Sequence, residues 1–398
     1  MNPKDIRPMP DNQGVGFCSS QAVPDEISAG FRLEQVGRYF NYHVAENYKW
    51  PLKYEDPAPL TFDAFSPNLN KQLHVGHLRN LAIANSLARL FKGSKFVALL
   101  GHSLGVLPES VENLQRWFKL VGYSPTEFSD IEVTEQAALK GEAGIEEKSG
   151  CEVWPGGPFG PVIIRRSDGR PTYAMHDLSF VKVAAPDHYL TGGEQAEHFR
   201  NLGLDGKHLP MGLVLDPVSG KKMKSREGTA MSADDALKMV VDRLEKTFEP
   251  EQLAWNVLAW NFLHCSRKSD VKFDVDSWTK PDSQGLYVTY TLARIVGAHM
   301  HGITEKTWKP APENFTEHDI KLMGFASYAA YYKQRSIELL DPSPLANYAS
   351  DLAKKLGSTY HSARIATGDP GLQFAVDYAY HALGDTMILL GMFPLTAV

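Results

Sequence analysis

Cysteine is scarce in this chain: Cys18, Cys151 and Cys265 are the only three among 398 residues, far apart and in no CxxC pair. That argues against a disulfide framework and against a cysteine zinc site, and it suits a reducing compartment such as the cytosol. No stretch of about 18 apolar residues occurs, and the opening MNPKDIRPMPDNQG has no apolar core, so neither a membrane span nor a secretory signal is expected. An excess of positive charge is missing too. With 41 Lys plus Arg against 47 Asp plus Glu, the formal charge is -6, so any nucleic-acid site must be a local patch. Internal repeats and low-complexity tracts are also absent.

What is present is a globular composition, 43% hydrophobic and 22% charged, and at this length two or three units are expected. Residues 1–60 read as a short, partly irregular appendage. Pro8 and Pro10 sit among polar residues that bury little. Ile27, Phe31, Leu33, Val36, Tyr39 and Phe40 then read as a short helix, followed by a loop with Pro51, Pro57 and Pro59.

From Thr61 the pattern becomes strand, loop, helix, strand. Phe62 and Phe65 end an extended run, Ser66 to His74 form a polar loop, Gly76 to Phe91 a helix, and Lys95 to Leu100 a buried parallel strand. Later strands at Val162–Arg165, His188–Leu190 and Leu209–Leu215 alternate with helices at Thr172–Val183, at Glu194–Leu202 and from Ser232, where Asp235 has the spacing of a capping box. The fold class expected over 61–285 is α/β, a Rossmann-like parallel sheet with its ligand at the carboxyl ends of the strands. Over 286–398 the strand signal is gone. Leu345, Tyr348, Leu352, Leu356 and Tyr360, and then Val376, Tyr380, Leu383, Met387 and Leu390, recur at three to four residues, the pattern of an all-α helical bundle. Trp255, Trp260 and Phe262 read as core.

The chemistry is densest in Ser66-Pro67-Asn68-Leu69-Asn70-Lys71-Gln72-Leu73-His74-Val75-Gly76-His77-Leu78-Arg79. Two imidazoles three apart at a helix start share a face, Gly76 allows a flat ligand to approach the backbone, and the helix N-terminus offers amides to a phosphate. Alone, this HxGH is also compatible with a plain helix start or half of a metal site. The metal reading is the weaker of the two, because no Cys or carboxylate completes the ligand spacing. A second cluster, Gly220-Lys221-Lys222-Met223-Lys224-Ser225-Arg226-Glu227-Gly228, lies between a strand and a helix, where cations on a loop can close over a polyphosphate. A solvated charge run is its bland alternative.

HxGH on a βα turn, followed about 145 residues later by a KMxSR-like loop, is the order found in class I aminoacyl-tRNA synthetases (HUP-type fold). The chain resembles one family of that class, the arginyl-tRNA synthetases. The resemblance is carried by Ser66–Arg79, by RRSDGRPTYAMHDLS at Arg165–Ser179, by Gly193–Phe199, by His208–Gly212 and by GLYVTYTLAR at Gly285–Arg294. It implies an enzyme that makes arginyl-adenylate from arginine and ATP with Mg²⁺ and passes the arginyl group to tRNA. By the family's pattern, His74, His77, Lys71, Lys222 and Arg226 are the catalytic set. Gly76, His198, His208, Lys224 and Ser225 are ATP-binding, with a satisfied core histidine the equal alternative for His208. Asp63, Ser66, Asn68, Tyr173, Asp177 and Gln195 hold arginine, and Tyr287, Tyr290 and Arg294 contact tRNA. A cytoplasmic monomer with no membrane partner and no dedicated metal site is expected.

The chain departs from the family in several places. It is short, the elbow-binding N-terminal domain is reduced to about sixty residues, and the connective insertion is cut to Ser110–Gly150. The family's NHxGDWGxQ block survives only as Gly101–Glu109. Asp63 stands where Glu is usual, and Lys224 where a small residue is usual. Two other readings therefore stand beside the ligase: a paralogue activating arginine or a related compound for another acceptor, and a silent tRNA- or protein-binding paralogue.

Overall fold

The structure, a computed structural model, describes residues 6–8, 16–19, 31–36, 39–44, 57–103, 105–137, 139, 143–223, 231–244, 249–302, 316–362 and 370–395. It divides into two compact units, one of residues 57–242 with 265–275 and one of residues 1–56, 243–264 and 276–398.

β1 (Ile6–Pro8), β2 (Gly16–Ser19), β3 (Phe31–Val36) and β4 (Tyr39–Val44) form an antiparallel sheet in the order β1-β2-β4-β3. The helix expected over Ile27 to Phe40, of which Ile27 lies outside the described residues, is from Phe31 onward a hairpin, with Val36 paired to Tyr39. Phe31-Arg32-Leu33-Glu34 alternates with period two, and Tyr39, Phe40, Tyr42 and Val44 are strand formers. The apolar spacing fitted both periods; the Gly37-Arg38 dipeptide between the two runs was the sequence signal for a hairpin.

The unit of residues 57–242 and 265–275 holds β5 (Thr61–Asp63), α1 (Val75–Leu90), β6 (Lys95–Leu100), α2 (Pro108–Val121), β7 (Thr126–Ser129), α3 (Asp130–Gln136), β8 (Gly144–Glu146), β9 (Cys151–Gly157), β10 (Gly160–Arg165), α4 (Tyr173–Ala184), β11 (His188–Gly192), α5 (Ala196–Asn201), β12 (His208–Met211), β13 (Val214–Leu215) and α6 (Ala233–Val241). Five strands make the expected parallel sheet, in the order β12-β11-β5-β6-β7. The chain starts in the middle with β5, winds out through β6 and β7, and returns to the other side with β11 and β12. The order therefore reverses at β5/β11, and an open α/β sheet has its crevice at such a reversal.

Three expectations need correction. β10 is not in the parallel sheet; it pairs antiparallel with β9 in a separate β10-β9-β8 sheet. The turn is tight at Gly156 (φ +74), where a Cβ would lie 1.9 Å from Gly160 O. Residues 110–150 are not wholly an insertion, because β7 is a parallel partner of β6 and α2 buries Leu114, Trp117, Phe118 and Val121 at helical spacing. The Leu209–Leu215 run is two strands, broken at Gly212, where a Cβ would meet Ser269 O at 2.2 Å.

β14 (Val271–Lys272) pairs with β13 in the same unit. The other unit is built on α7 (Pro250–Leu263), α8 (Val275–Trp278), α9 (Gln284–Gly302), α10 (Glu317–Ala326), α11 (Ala329–Leu339), α12 (Ser343–Ser362) and α13 (Pro370–Leu389). α7 lies before the expected 285/286 division yet packs with these helices. Every residue from Leu253 to Leu263 is buried, so the helix is apolar all round and needs helices on several sides. Leu345, Leu352, Leu356, Val376, Leu383 and Met387 are buried, as their periodicity requires. Trp255, fully buried, donates from Nε1 to Gly391 O at 2.9 Å. Trp255→Ala removes both packing and that bond, and is expected to cost about 3–5 kcal/mol, read as a lower urea midpoint of the helical unit.

Candidate active site

The start of α1 is capped by its own histidines. His74 is the N-cap; its Nδ1 accepts from Gly76 N–H at 3.2 Å, while His77 Nδ1 accepts from His74 N–H at 3.0 Å. The rings stack at 3.8 Å between centroids. Burial, then Lys71, then Lys222 lower His74 to a pKa of about 4, and burial with His74 and Lys71 puts His77 well below its ordinary value. Both imidazoles are therefore neutral at pH 7. With Nδ1 used as acceptor, the proton of each is on Nε2, so the pair presents two neutral N–H donors. Gly76 leaves the first ring its place: a Cβ there would stand 3.0 Å from His74 Cε1.

Backbone bonds bring the C-terminal stem of the cationic loop to this helix start, and a bridge to Leu215 fixes the N-terminal stem. Val75 N–H donates to Met231 O at 3.1 Å and Ala233 N–H to Leu73 O at 2.9 Å, while Lys222 bridges back to Leu215. Ser232 caps α6, with its Oγ accepting from Asp235 N–H at 3.0 Å. Lys222 is ion-paired with Glu194, and Lys71 is exposed. Lys224, Ser225 and Arg226 lie outside the described residues.

Asp63 ends β5 and is buried. Ser66 Oγ donates to its Oδ1 and accepts from Leu99 N–H at 2.8 Å. Burial raises the Asp63 carboxyl to about 7; the Ser66 bond lowers it and the charge of Asp177 raises it. Across from it, Asn68 Nδ2 donates to Tyr173 Oη at 3.2 Å, and Tyr173, the first residue of α4, is 63% exposed. Asp177, one turn on, holds His198 Nε2 at 2.6 Å. Asp63, Ser66, Asn68, Tyr173, Asp177 and His198 thus form one group. His198, expected beside adenosine, is bonded to the carboxylate expected to receive arginine.

Other expected residues lie elsewhere. Gln195 is exposed at the start of α5. His208 is bonded to Thr191 Oγ1 at 3.0 Å and stacked on Phe199, and burial, then Arg267, lower its pKa. Tyr287, Tyr290 and Arg294 are on α9 in the helical unit, where Tyr287 packs so close to Gly357 that a Cβ there would lie 1.9 Å from its Oη.

The motif reading gave Arg79, the last residue of the first signature, no role. It is fully buried, and its guanidinium donates to Leu213 O at 3.1 Å and Ser269 O at 2.6 Å, tying α1 to the segment that leads into the cationic loop. An Arg followed by an apolar helix face was the available signal. It also missed Tyr189, opposite Asp63 in the β11/β5 register and raised by burial and by Asp63. Among the described residues, no group of three or more His, Cys, Asp and Glu side chains is placed to hold a metal ion, and no helix is long and apolar enough to cross a membrane.

No family model matches the chain. It is 25% identical to an arginine-tRNA ligase of Lactobacillus acidophilus, over 83% of this chain and 79% of that one, and 24% identical to one of Lactobacillus johnsonii, over 89% and 82%. The chain is a relative of the arginyl-tRNA synthetases. Its fold is that of the Thermus thermophilus arginyl-tRNA synthetase, with a TM-score of 0.65 at 16% identity over 98% of this chain and 96% of that one. The similarity to that synthetase spans both the parallel-sheet and the helical unit.

The buried carboxyl gives this synthetase relative a pH signature. A proton that leaves Asp63 near pH 3.8 in the unfolded chain is kept to about 7 in the folded one. Its contribution to stability is therefore full below pH 3.8 and lost as pH rises to about 7. Asp63→Asn has no such loss, and should be more stable than the parent at pH 8 by roughly 1–4 kcal/mol, with the gap closing toward pH 4. Urea unfolding at the two pH values measures it.

Proposed function

We propose that the chain activates L-arginine with ATP, forming arginyl-adenylate and pyrophosphate, and transfers the arginyl group to the 3′-terminal adenosine of tRNA. The observation that carries this reading is the pairing of two sites at the carboxyl end of β5. One holds two acidic side chains, Asp63 and Asp177, with the charge of Asp177 adding to the cost of ionising Asp63, and calls for a cation; the other holds two neutral imidazole N–H donors flanked by lysines.

In this reading the planar guanidinium meets Asp177, whose Oδ2 is already oriented by His198, with the ring of Tyr173 along its edge. Asp63, Asn68 and Ser66 receive the polar head of the amino acid, and Gln195 closes over it. The arginine carboxylate attacks the α-phosphorus, the bond to the β-phosphate oxygen breaks, and pyrophosphate leaves. His74 and His77 donate from Nε2 to the phosphate oxygens as charge grows on them, and no proton is transferred. Being uncharged, they favour the charge-rich transition state without holding the pyrophosphate product as tightly as two cations would.

Lys71, Lys222 and Arg226 neutralise the leaving group. Lys222 must exchange Glu194 for phosphate, which links nucleotide entry to release of that ion pair. Gly76, Lys224 and Ser225 complete the phosphate cradle, and His208 borders the adenosine. Mg²⁺ enters as part of the ATP substrate, carried by the phosphates. Tyr287, Tyr290 and Arg294 on α9 contact tRNA, and the protein works in the cytoplasm.

Pyrophosphate exchange with arginine and ATP, run with and without tRNA beside a charging assay, tests the reading. Exchange and charging that both depend on tRNA are expected; exchange with no charging would mean another acceptor, and no exchange at all would sink the proposal. Asp177→Ala should raise the arginine KM by about 100-fold, since it leaves a guanidinium unpaired, with the ATP KM little changed. His77→Ala should lower kcat by about 100-fold at near-normal ATP affinity, as removal of a transition-state donor does. Steady-state kinetics of the two variants separates these roles.

A further inference from the structure

Asp130, Ser103, Thr134 and His176, none of them given a role by the synthetase signatures, form a closed hydrogen-bonded group. Asp130, at the start of α3 and 3% exposed, accepts through Oδ1 from the backbone N–H groups of His102 at 2.9 Å and Ser103 at 3.0 Å. Its Oδ2 accepts from Ser103 Oγ at 2.7 Å. Ser103 Oγ is also 3.1 Å from His176 Nε2, which is itself 3.5 Å from Asp130 Oδ2. On the far side of the ring, His176 Nδ1 is 3.1 Å from Thr134 Oγ1, whose hydroxyl donates to Asp130 O at 2.6 Å.

Ser103 has one hydroxyl hydrogen and two partners, and its Oγ is the atom through which Asp130 and the His176 ring are joined. Thr134 Oγ1 ties the far side of the same ring to the Asp130 backbone. The ionisable groups facing His176 are Asp130 on α3, Asp177 on α4 and Arg165 on β10. Burial lowers the imidazole, the two carboxylates raise it, and Arg165 lowers it, with a net lowering.

The group also joins two walls. Gly101, just before the amides held by Asp130, is bridged to Asn68, and a Cβ on it would lie 3.4 Å from Asn68 Oδ1 and 3.7 Å from Asp130 Oδ2. His176 is on α4, one residue before Asp177 and three after Tyr173. Asn68 and Tyr173 meet across the opening at 3.2 Å.

We propose that Asp130, through Ser103 and His176, is the positioning residue that sets the spacing between the Asn68 wall and the Tyr173/Asp177 wall of the amino-acid pocket. The proposal rests on the arginine reading for the identity of the ligand only. Losing the Asp130 carboxylate frees the Ser103 hydroxyl and the two amides and lets the walls separate, so arginine binding weakens and ATP binding does not.

The test is calorimetric affinity for arginine and, separately, for ATP, with amide exchange at His102 and Ser103. Asp130→Ala should weaken arginine by about tenfold and speed that exchange by about tenfold, with ATP affinity within about twofold of the parent. Asp130→Asn keeps Oδ1 for both amides and offers an N–H to Ser103 Oγ, which is then free to donate to His176 Nε2. It should bind arginine within about twofold of the parent. Ser103→Ala, at an exposed position that spares the core, should weaken arginine by about threefold. Parent-like arginine affinity in Asp130→Ala, or an Asp130→Asn as weak as Asp130→Ala, overturns the proposal. A parent that binds no arginine removes the proposed function instead; the positioning role then stands if exchange is faster in Asp130→Ala than in Asp130→Asn, and falls if it is not.

Discussion

The placement of β5 in the middle of the parallel sheet is the constraint on which the site depends. Hydrogen-bonded to β6 on one side and β11 on the other, β5 delivers its last residue, Asp63, into a dry position where the strand order reverses. The chain has to leave that point through Ser66, Asn68 and Lys71 before α1 can begin, so the polar loop is held over the crevice by its two ends. A carboxyl in this position is costly, and the Ser66 hydroxyl offsets only part of the cost. A binding site that is short of positive charge when empty is the kind that gains most from a cationic ligand.

The same burial acts in the opposite sense one turn further on. His74 and His77 would be cations in water at moderately acid pH, but desolvation and two neighbouring lysines keep them neutral. Positive charge near the helix start is left to the long side chains of Lys71 and Lys222, while the donors fixed at the helix start are uncharged. Lys222 is held by Glu194. Charge that can move and dipoles that cannot are thus carried by different side chains, and each type is where its flexibility or rigidity is of use.

Arg79 and Asp130 extend this logic to the supporting structure. Each is a buried charge whose partners are backbone groups of loops: carbonyls of 213 and 269 for the guanidinium, amides of 102 and 103 for the carboxylate. Loops at the carboxyl ends of strands have many unpaired backbone groups, and a single buried ion can order several of them at once. A search for signatures reads no role from either, although Arg79 closes the first signature, because most of their partners are main-chain atoms with no residue type.

Much of this protein could be read from the chain alone. Lys95–Leu100 as a buried strand, the helix after His74, the Ser232 cap and the helical periodicities after Leu345 follow from local patterns of apolar spacing and capping, which depend only on neighbours in sequence. The grouping of Ser66, Asn68, Tyr173 and Asp177 was legible only through resemblance, since more than a hundred residues separate its halves. Tertiary structure decided the rest. It turned the Phe31–Phe40 run into a hairpin, because the spacing suited two periods and pairing chose between them. It moved β10 out of the parallel sheet and β7 into it, because strand partners are set by long-range contact. It bonded His198 to Asp177, raised Asp63 to about 7 and held His74 and His77 neutral, because burial and the proximity of distant charges exist only once the chain has folded.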